Sequence, residues 1–522
     1  LNNLSLSYQA LGQYSEAETG LRSIAIRDSV TLGTNHPDFA LTLSNLGQLY
    51  TNETKFENAE RVLRQSLEIL RINGDSATSS YAIKLNNLAR NYSAWNQSSK
   101  AIPLLQQALS IFEIEFGKKA PEYATALFNL GSAYLSINPS LGYAYLKRSE
   151  SIRRKLFGKR HPLHAEILEK LSLYQWQNRN KKEVRHYLRL VFENYYQQVE
   201  DFFPVLTEEE KTNLYFNRIR PTQEYYASWV CQEQLEVPAA LGELYNVTLN
   251  TKGLILYATE KVHQRILQSG DKSLIGLFDD WKSQKELLAF YISQNMNSKQ
   301  IDSLVKSSKV LEKELSRRSS MFSREILRPN NTWQEVQQML QPGEAAMEII
   351  RFKNYDIDSL RFTHKISYAF LILTPETKTG PKIIVYDRGD LLENRHLSYY
   401  RNGIRFKVDD TYSFENFWQG VHKELKSLKI NTLYLAADGA YNLIALESIK
   451  NPDTKKYIIE ELNIKQVTST RELLIPKANK AVGQSSLLLG YPAYQTPVPQ
   501  RTYFDEKLQN DKLVSRSIRG SL

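Results

Sequence analysis

The side chains able to act as nucleophile, base or metal ligand are few: one cysteine and eight histidines in 522 residues. Cys231 lies in "YASWVCQEQL", a helical stretch with Tyr226, Ala227 and Val230 beside it. A reactive thiol needs electropositive surroundings that stabilise the thiolate. None is visible nearby, and the next histidine, His263, stands on another helix and in no motif, so Cys231 reads as structural. His364, His396 and His422 are not spaced with carboxylates as metal ligands are and read as surface or capping residues. No P-loop and no glycine-rich dinucleotide fingerprint occurs. The residues themselves therefore predict no catalytic group, no metal site and no cofactor. Two polar features remain. One is Asp438-Gly439, which ends the apolar run Leu433–Ala437 in "TLYLAADGAYNLIALESI" (432–449). Asp-Gly is a strong turn signal, so turn formation is the preferred reading, with the border of an active site as the alternative. The other is a column of asparagines.

That column follows from an internal repeat. "LNNLSLSY" (1–8), "LSNLGQLY" (43–50), "LNNLARNY" (85–92) and "LFNLGSAY" (127–134) recur every 42 residues. Leu4, Leu46, Leu88 and Leu130 share one register and Tyr8, Tyr50, Tyr92 and Tyr134 another. Ala17, Ala59 and Ala101 mark a second helix in each unit, where a small residue lets two helices approach closely. His36-Pro37, Ala120-Pro121 and His161-Pro162 mark the breaks, because proline suits the first turn of a helix and not its interior. A fifth, degenerate unit spans about 161–195, with the step slipping to 41 between Leu130 and Leu171. Asn3, Asn45, Asn87 and Asn129 hold the same register, on one face of successive first helices. An amide both donates and accepts, so such a ladder suits the backbone of an extended peptide; hydrogen bonding between neighbouring repeats is the equal alternative.

Residues 1–195 resemble the tetratricopeptide repeat (TPR) in its long 42-residue form, like that of kinesin light chain. The resemblance implies a helical solenoid that binds protein or peptide partners, with asparagines at this point of the motif meeting the ligand backbone. Residues 196–330 keep helical periodicity without the repeat: Ile301, Leu304, Val305, Leu311, Leu315, Phe322 and Ile326 form one apolar stripe, and 240–267 reads as another amphipathic helix. The net charge of +10 is uneven: 147–189 carries 13 Lys or Arg against Glu150, Glu166, Glu169 and Glu183. Without a known nucleic-acid motif, a solvated helical face is preferred over a nucleic-acid surface. No apolar run of membrane-spanning length occurs, and a cytoplasmic location is expected.

After Pro342-Gly343 the texture becomes β-rich. "AAMEIIRF" (345–352), "SYAFLILT" (367–374) and "KIIVYD" (382–387) predict strands, and "FENFWQGVHKELKSL" (414–428) predicts an amphipathic helix with Phe414, Phe417, Trp418, Val421, Leu425 and Leu428 on one side. The order of that helix, then "LYLAADG", "YNLIALESI", "YIIEELNIKQVTSTREL" and "LLLGYP", resembles the first half of a CHAT domain, the caspase-like peptidase domain attached to TPR arrays. The expected fold is thus an α-helical TPR solenoid (1–195), a helical connecting region (196–330) and a partial α/β caspase-like CHAT domain (331–522). The family's cysteine and histidine come after the "LLLGYP" strand, yet no histidine follows His422 and the tail "VSRSIRGSL" has no cysteine. The resemblance implies that Asp438 could also meet the P1 side chain of a substrate. The chain is read as the protein-binding arm of a cysteine endopeptidase, a piece of a longer protein and inactive alone. The alternative is a non-catalytic TPR adaptor with a degenerate, structural CHAT-like region.

Overall fold

A computed structural model describes residues 14–475 apart from 205, 234–237, 294–297, 321–330, 409 and 411. Asn3, the strand expected at 485–492, and Phe322 and Ile326 of the apolar stripe lie outside the described residues. The amino-terminal region is a mostly helical, TPR-like solenoid. Its described part opens with the second helix of the first unit, α1 (Tyr14–Thr31). Helix pairs follow: α2 (Pro37–Asn52) with α3 (Phe56–Ile72), α4 (Ser79–Ala94) with α5 (Ser98–Phe116), α6 (Pro121–Tyr134) with α7 (Pro139–Phe157), and α8 (Pro162–Gln177) with α9 (Lys181–Phe202).

The helix starts have visible causes. Pro37, Pro121 and Pro162 open their helices, where a missing N–H costs nothing. Both His-Pro histidines are N-caps: His36 Nδ1 accepts from the Asp38 N–H at 3.1 Å and His161 Nδ1 from Leu163 at 3.2 Å. Ala17, Ala59 and Ala101 are fully buried at the helix contacts. Gly47 and Gly131 share a register; a Cβ on Gly47 would meet Leu63 Cγ at 2.4 Å, and one on Gly131 would meet the Gly142 carbonyl at 2.9 Å. The pairs pack that tightly only because these positions have no side chain.

The connecting region comprises α10 (Glu208–Leu214), a π-helical turn and α11 (Arg220–Glu233), then α12 (Pro238–Thr251), α13 (Leu254–Gln268), α14 (Lys272–Ser293) and α15 (Ser298–Ser320). The single helix read over 240–267 is in fact two. Gly253 adopts φ +64 between them, and Lys252 leaves the helix line to enter a buried ion pair.

The carboxy-terminal part holds a small mixed sheet of β1 (Glu344–Asp356), β2 (Arg361–Leu373), β3 (Lys382–Tyr386), β4 (Thr432–Ala436) and β5 (Asn463–Val467), in the order β3-β2-β1-β4-β5. β1, β2 and β3 are antiparallel neighbours, whereas β4 runs parallel to β1 and β5 parallel to β4. Alternation along β1 divides its side chains. Ala345, Met347 and Ile349 face a layer with Phe414, Phe417, Trp418, Val421 and Leu425, which comprises a π-helical turn and α16 (Gln419–Ser427). Ala346, Ile350 and Phe352 face the connecting helices, in an apolar core continuous from Leu135 to Leu373. Covering on both faces explains why β1 and β2 read as near-continuous apolar runs.

Candidate functional site

The asparagine column sits where the solenoid's first helices meet. Asn45 and Asn87 are 7% and 8% exposed, and Asn129 is half-buried. Asn87 donates to the Ser44 hydroxyl of the preceding repeat at 3.0 Å, and Asn129 donates to Asn86 Oδ1 at 2.9 Å. The corresponding position for Asn45 is Asn2, outside the described residues. Inter-repeat bonding, one of the two alternatives left by the spacing, is therefore present at Asn87 and Asn129. It uses one amide N–H of each and leaves the carbonyl oxygen free of these bonds.

A second ladder, not read from the sequence, holds the repeats in register. Tyr50 Oη lies 3.2 Å from Glu18 and 3.0 Å from the Arg22 guanidinium; 42 residues on, Tyr92 Oη lies 2.6 Å from both Glu60 and Arg64. Each acid and arginine form an i,i+4 pair on a second helix and reach the tyrosine of the next first helix. Burial pushes the Glu60 carboxyl up, but hydrogen bonds from Tyr92 and Arg64 outweigh it and hold the group below its ordinary range. The ladder fades at the third step, where Gln106 alone donates to Tyr134, at 3.2 Å.

Strand β4 points its carboxyl end into a cavity of about 740 Å³. Ligand sites in open α/β sheets favour this end of parallel strands. Asp438 does make the turn: its Oδ1 accepts from the Gly439 N–H at 2.9 Å, at the start of a 3-10 turn. Gly439 is required there, since φ is +56 and a Cβ would meet the Tyr368 hydroxyl at 2.2 Å. Asp438 Oδ2 also accepts from the Arg351 N–H at 2.9 Å and from Arg220 at 3.1 Å. Burial pushes this carboxyl up, yet Arg220 and Lys252 outweigh burial and hold it below the ordinary aspartate range.

Beside it lies a second buried pair. Lys252 Nζ is 3.0 Å from Glu348 Oε2 and donates to the carbonyls of Ile349 at 3.0 Å and Ala436 at 2.7 Å. Glu348, fully buried, accepts at its other oxygen from Ser469 at 3.1 Å and from the Thr470 N–H and hydroxyl at 2.6 and 2.8 Å. Arg351 extends the network through Glu393, which accepts from Tyr368 at 2.7 Å. The cluster thus joins α11 and α12 to β1, β4 and the segment after β5. This cluster was not read from the sequence; only an acid inside the apolar run "AAMEIIRF" and a lysine just before Gly253 marked two of its members.

Elsewhere the geometry offers little chemistry. Burial alone pushes the Cys231 thiol up to about 12, so it is a poor nucleophile at neutral pH. His364 is exposed, and His396 and His422 are half-buried; His422 lies 3.9 Å from Glu461. The His263 side chain is outside the described residues. Among the described residues no group of three His, Cys, Asp or Glu could hold a metal, and no helix is long and apolar enough to cross a membrane.

A family model for the tetratricopeptide repeat matches residues 1–72. No curated protein sequence matches the chain. Among solved structures, BtubC (BKLC) from P. vanneervenii is 21% identical over 37% of this chain and 77% of its own, with a TM-score of 0.33. A Podosopora anserina kinesin light chain protein with nearly identical TPR-like repeats is 23% identical over 38% of this chain and 94% of its own, with a TM-score of 0.32. The chain carries tetratricopeptide repeats, and such repeats are protein-interaction scaffolds.

Proposed function

We propose that this chain is the recognition arm of a TPR–CHAT protein, in which the solenoid (1–195) captures an extended protein segment along Asn45, Asn87 and Asn129. Asn3 completes the column in sequence. The connecting region (196–330) relays capture to a caspase-like sheet (331–522), which lacks the His/Cys dyad and does not hydrolyse peptides by itself. The observation that carries the recognition half is the asparagine register itself, with carbonyl oxygens left over after the inter-repeat bonds. The caspase-like reading draws support from the parallel β1, β4 and β5, with β1 covered on both faces and β4 ending in Asp438-Gly439 over a cavity. A second reading, a TPR adaptor whose sheet is purely structural, is favoured by one observation. Asp438 and Glu348 are both engaged in ion pairs that fasten the sheet to the helices.

The test is selection of peptides from a randomised display library on the full chain, followed by binding to Asn45→Ala/Asn87→Ala. A loss of about tenfold or more, about 1.4 kcal/mol, with unchanged unfolding supports the groove. Unchanged affinity removes it.

A further inference from the structure

The register that carries the repeats also singles out one ring position. Each first helix begins with a ring followed by alanine: Phe39-Ala40, Tyr81-Ala82 and Tyr123-Ala124, 42 residues apart. After the 41-residue step the fifth reads His164-Ala165. Tyr123 is 1% exposed, lies 3.4 Å from Glu113 of α5 and carries Arg148 of α7 over its ring at 5.1 Å. One repeat later the ring is smaller, and a cavity of about 510 Å³ between α7 and α9 is lined by His164. His164 is 6% exposed, and neither ring nitrogen has a hydrogen-bond partner among the described residues; Glu150 Oε1 is 3.6 Å from Nε2. A buried imidazole with both nitrogens unmet is costly unless something else supplies partners.

The walls say what that partner is. Gln106 and Glu113 of the preceding groove correspond to Lys147 and Arg154 here, so an acid has become a cation. Lys159 and Arg160 add to the same side, while Leu168, Leu171 and Leu190 line the cavity with apolar surface. Glu150, which lies 3.6 Å from Arg154, and Glu183 and Glu193 on α9 nearly balance the four cations, which argues against a polyphosphate backbone, whose binding is driven by net positive charge. We propose that this cavity is a second docking site, for a peptide segment that pairs a carboxylate with an apolar side chain. The carboxylate meets Arg154, Lys159 and Arg160, and polar backbone groups of the peptide complete His164. The cavity is walled by α7, α8 and α9 and none of Asn45, Asn87 or Asn129 lines it, so the two readings fail separately.

The test uses the full chain and a fluorescein-labelled peptide of alternating leucine and glutamate, about ten residues long, read by anisotropy. His164→Tyr gives the groove the ring found one repeat earlier, and Arg154→Glu reverses the rim. Each is expected to weaken binding by about tenfold or more, whereas Lys170→Glu, in the same basic stretch but away from the cavity, leaves it unchanged. Unchanged binding in His164→Tyr, an equal loss in Lys170→Glu, or tighter binding of a single-stranded oligonucleotide than of the peptide overturns the proposal. Should His164→Tyr lower the thermal unfolding midpoint, the contrast between Arg154→Glu and Lys170→Glu decides alone.

Discussion

Glu348 is the residue on which the junction of helices and sheet depends most. Every oxygen it has is used, and Lys252 reaches it from the end of α12. Glu348→Gln keeps the size but leaves a buried ammonium without its counter-charge and turns an amide N–H₂ toward donors. The expected cost is about 3–5 kcal/mol, seen as a lower urea midpoint for the sheet region. Asp438 adds a pH dependence whose sign is fixed by its depressed folded value. Its contribution is complete above the ordinary aspartate value of 3.8 and fades as pH falls through the lower folded one. Wild type should therefore exceed Asp438→Asn in denaturant midpoint at neutral pH, and the two should converge in acid. A constant gap across the acid range would mean that the Arg220 pair contributes nothing through charge.

Between elements, the tyrosine ladder holds each first helix to the second helix before it. Tyr92→Phe removes a hydroxyl shared by Glu60 and Arg64, partly exposed groups, for an expected loss of about 1 kcal/mol. Tyr134→Phe, with only Gln106 to lose, should cost about half as much, and thermal unfolding of the two variants compares them directly. The repeat positions of leucine, tyrosine and alanine made the helix pairs legible from spacing, because a solenoid buries the same positions in every unit. Strands β1 to β4 were legible for a related reason, apolar content on both faces. The break at Gly253 was not, since 240–267 keeps a continuous helical stripe and the helix ends where Gly253 adopts φ +64 and Lys252 pairs with the distant Glu348. The ion cluster was equally hidden: Arg220, Lys252, Glu348 and Asp438 come from segments far apart in sequence, and no spacing rule joins them.

Across the whole molecule, the apolar core running from Leu135 to Leu373 joins the last solenoid helices, the connecting helices and one face of the sheet. If the solenoid captures a segment as proposed, this continuous core and the Arg220–Asp438 pair are the physical route from it to α11 and the end of β4. The central claim is that an extended segment lies along the first helices. Hydrogen–deuterium exchange on the full chain, with and without a peptide selected on it, tests this most directly. New protection is expected in α2, α4 and α6, with a change in α11 and around 436–442 if the solenoid controls the sheet, and none there if the chain is only an adaptor. Protection absent from α2, α4 and α6 at saturating peptide would contradict the account.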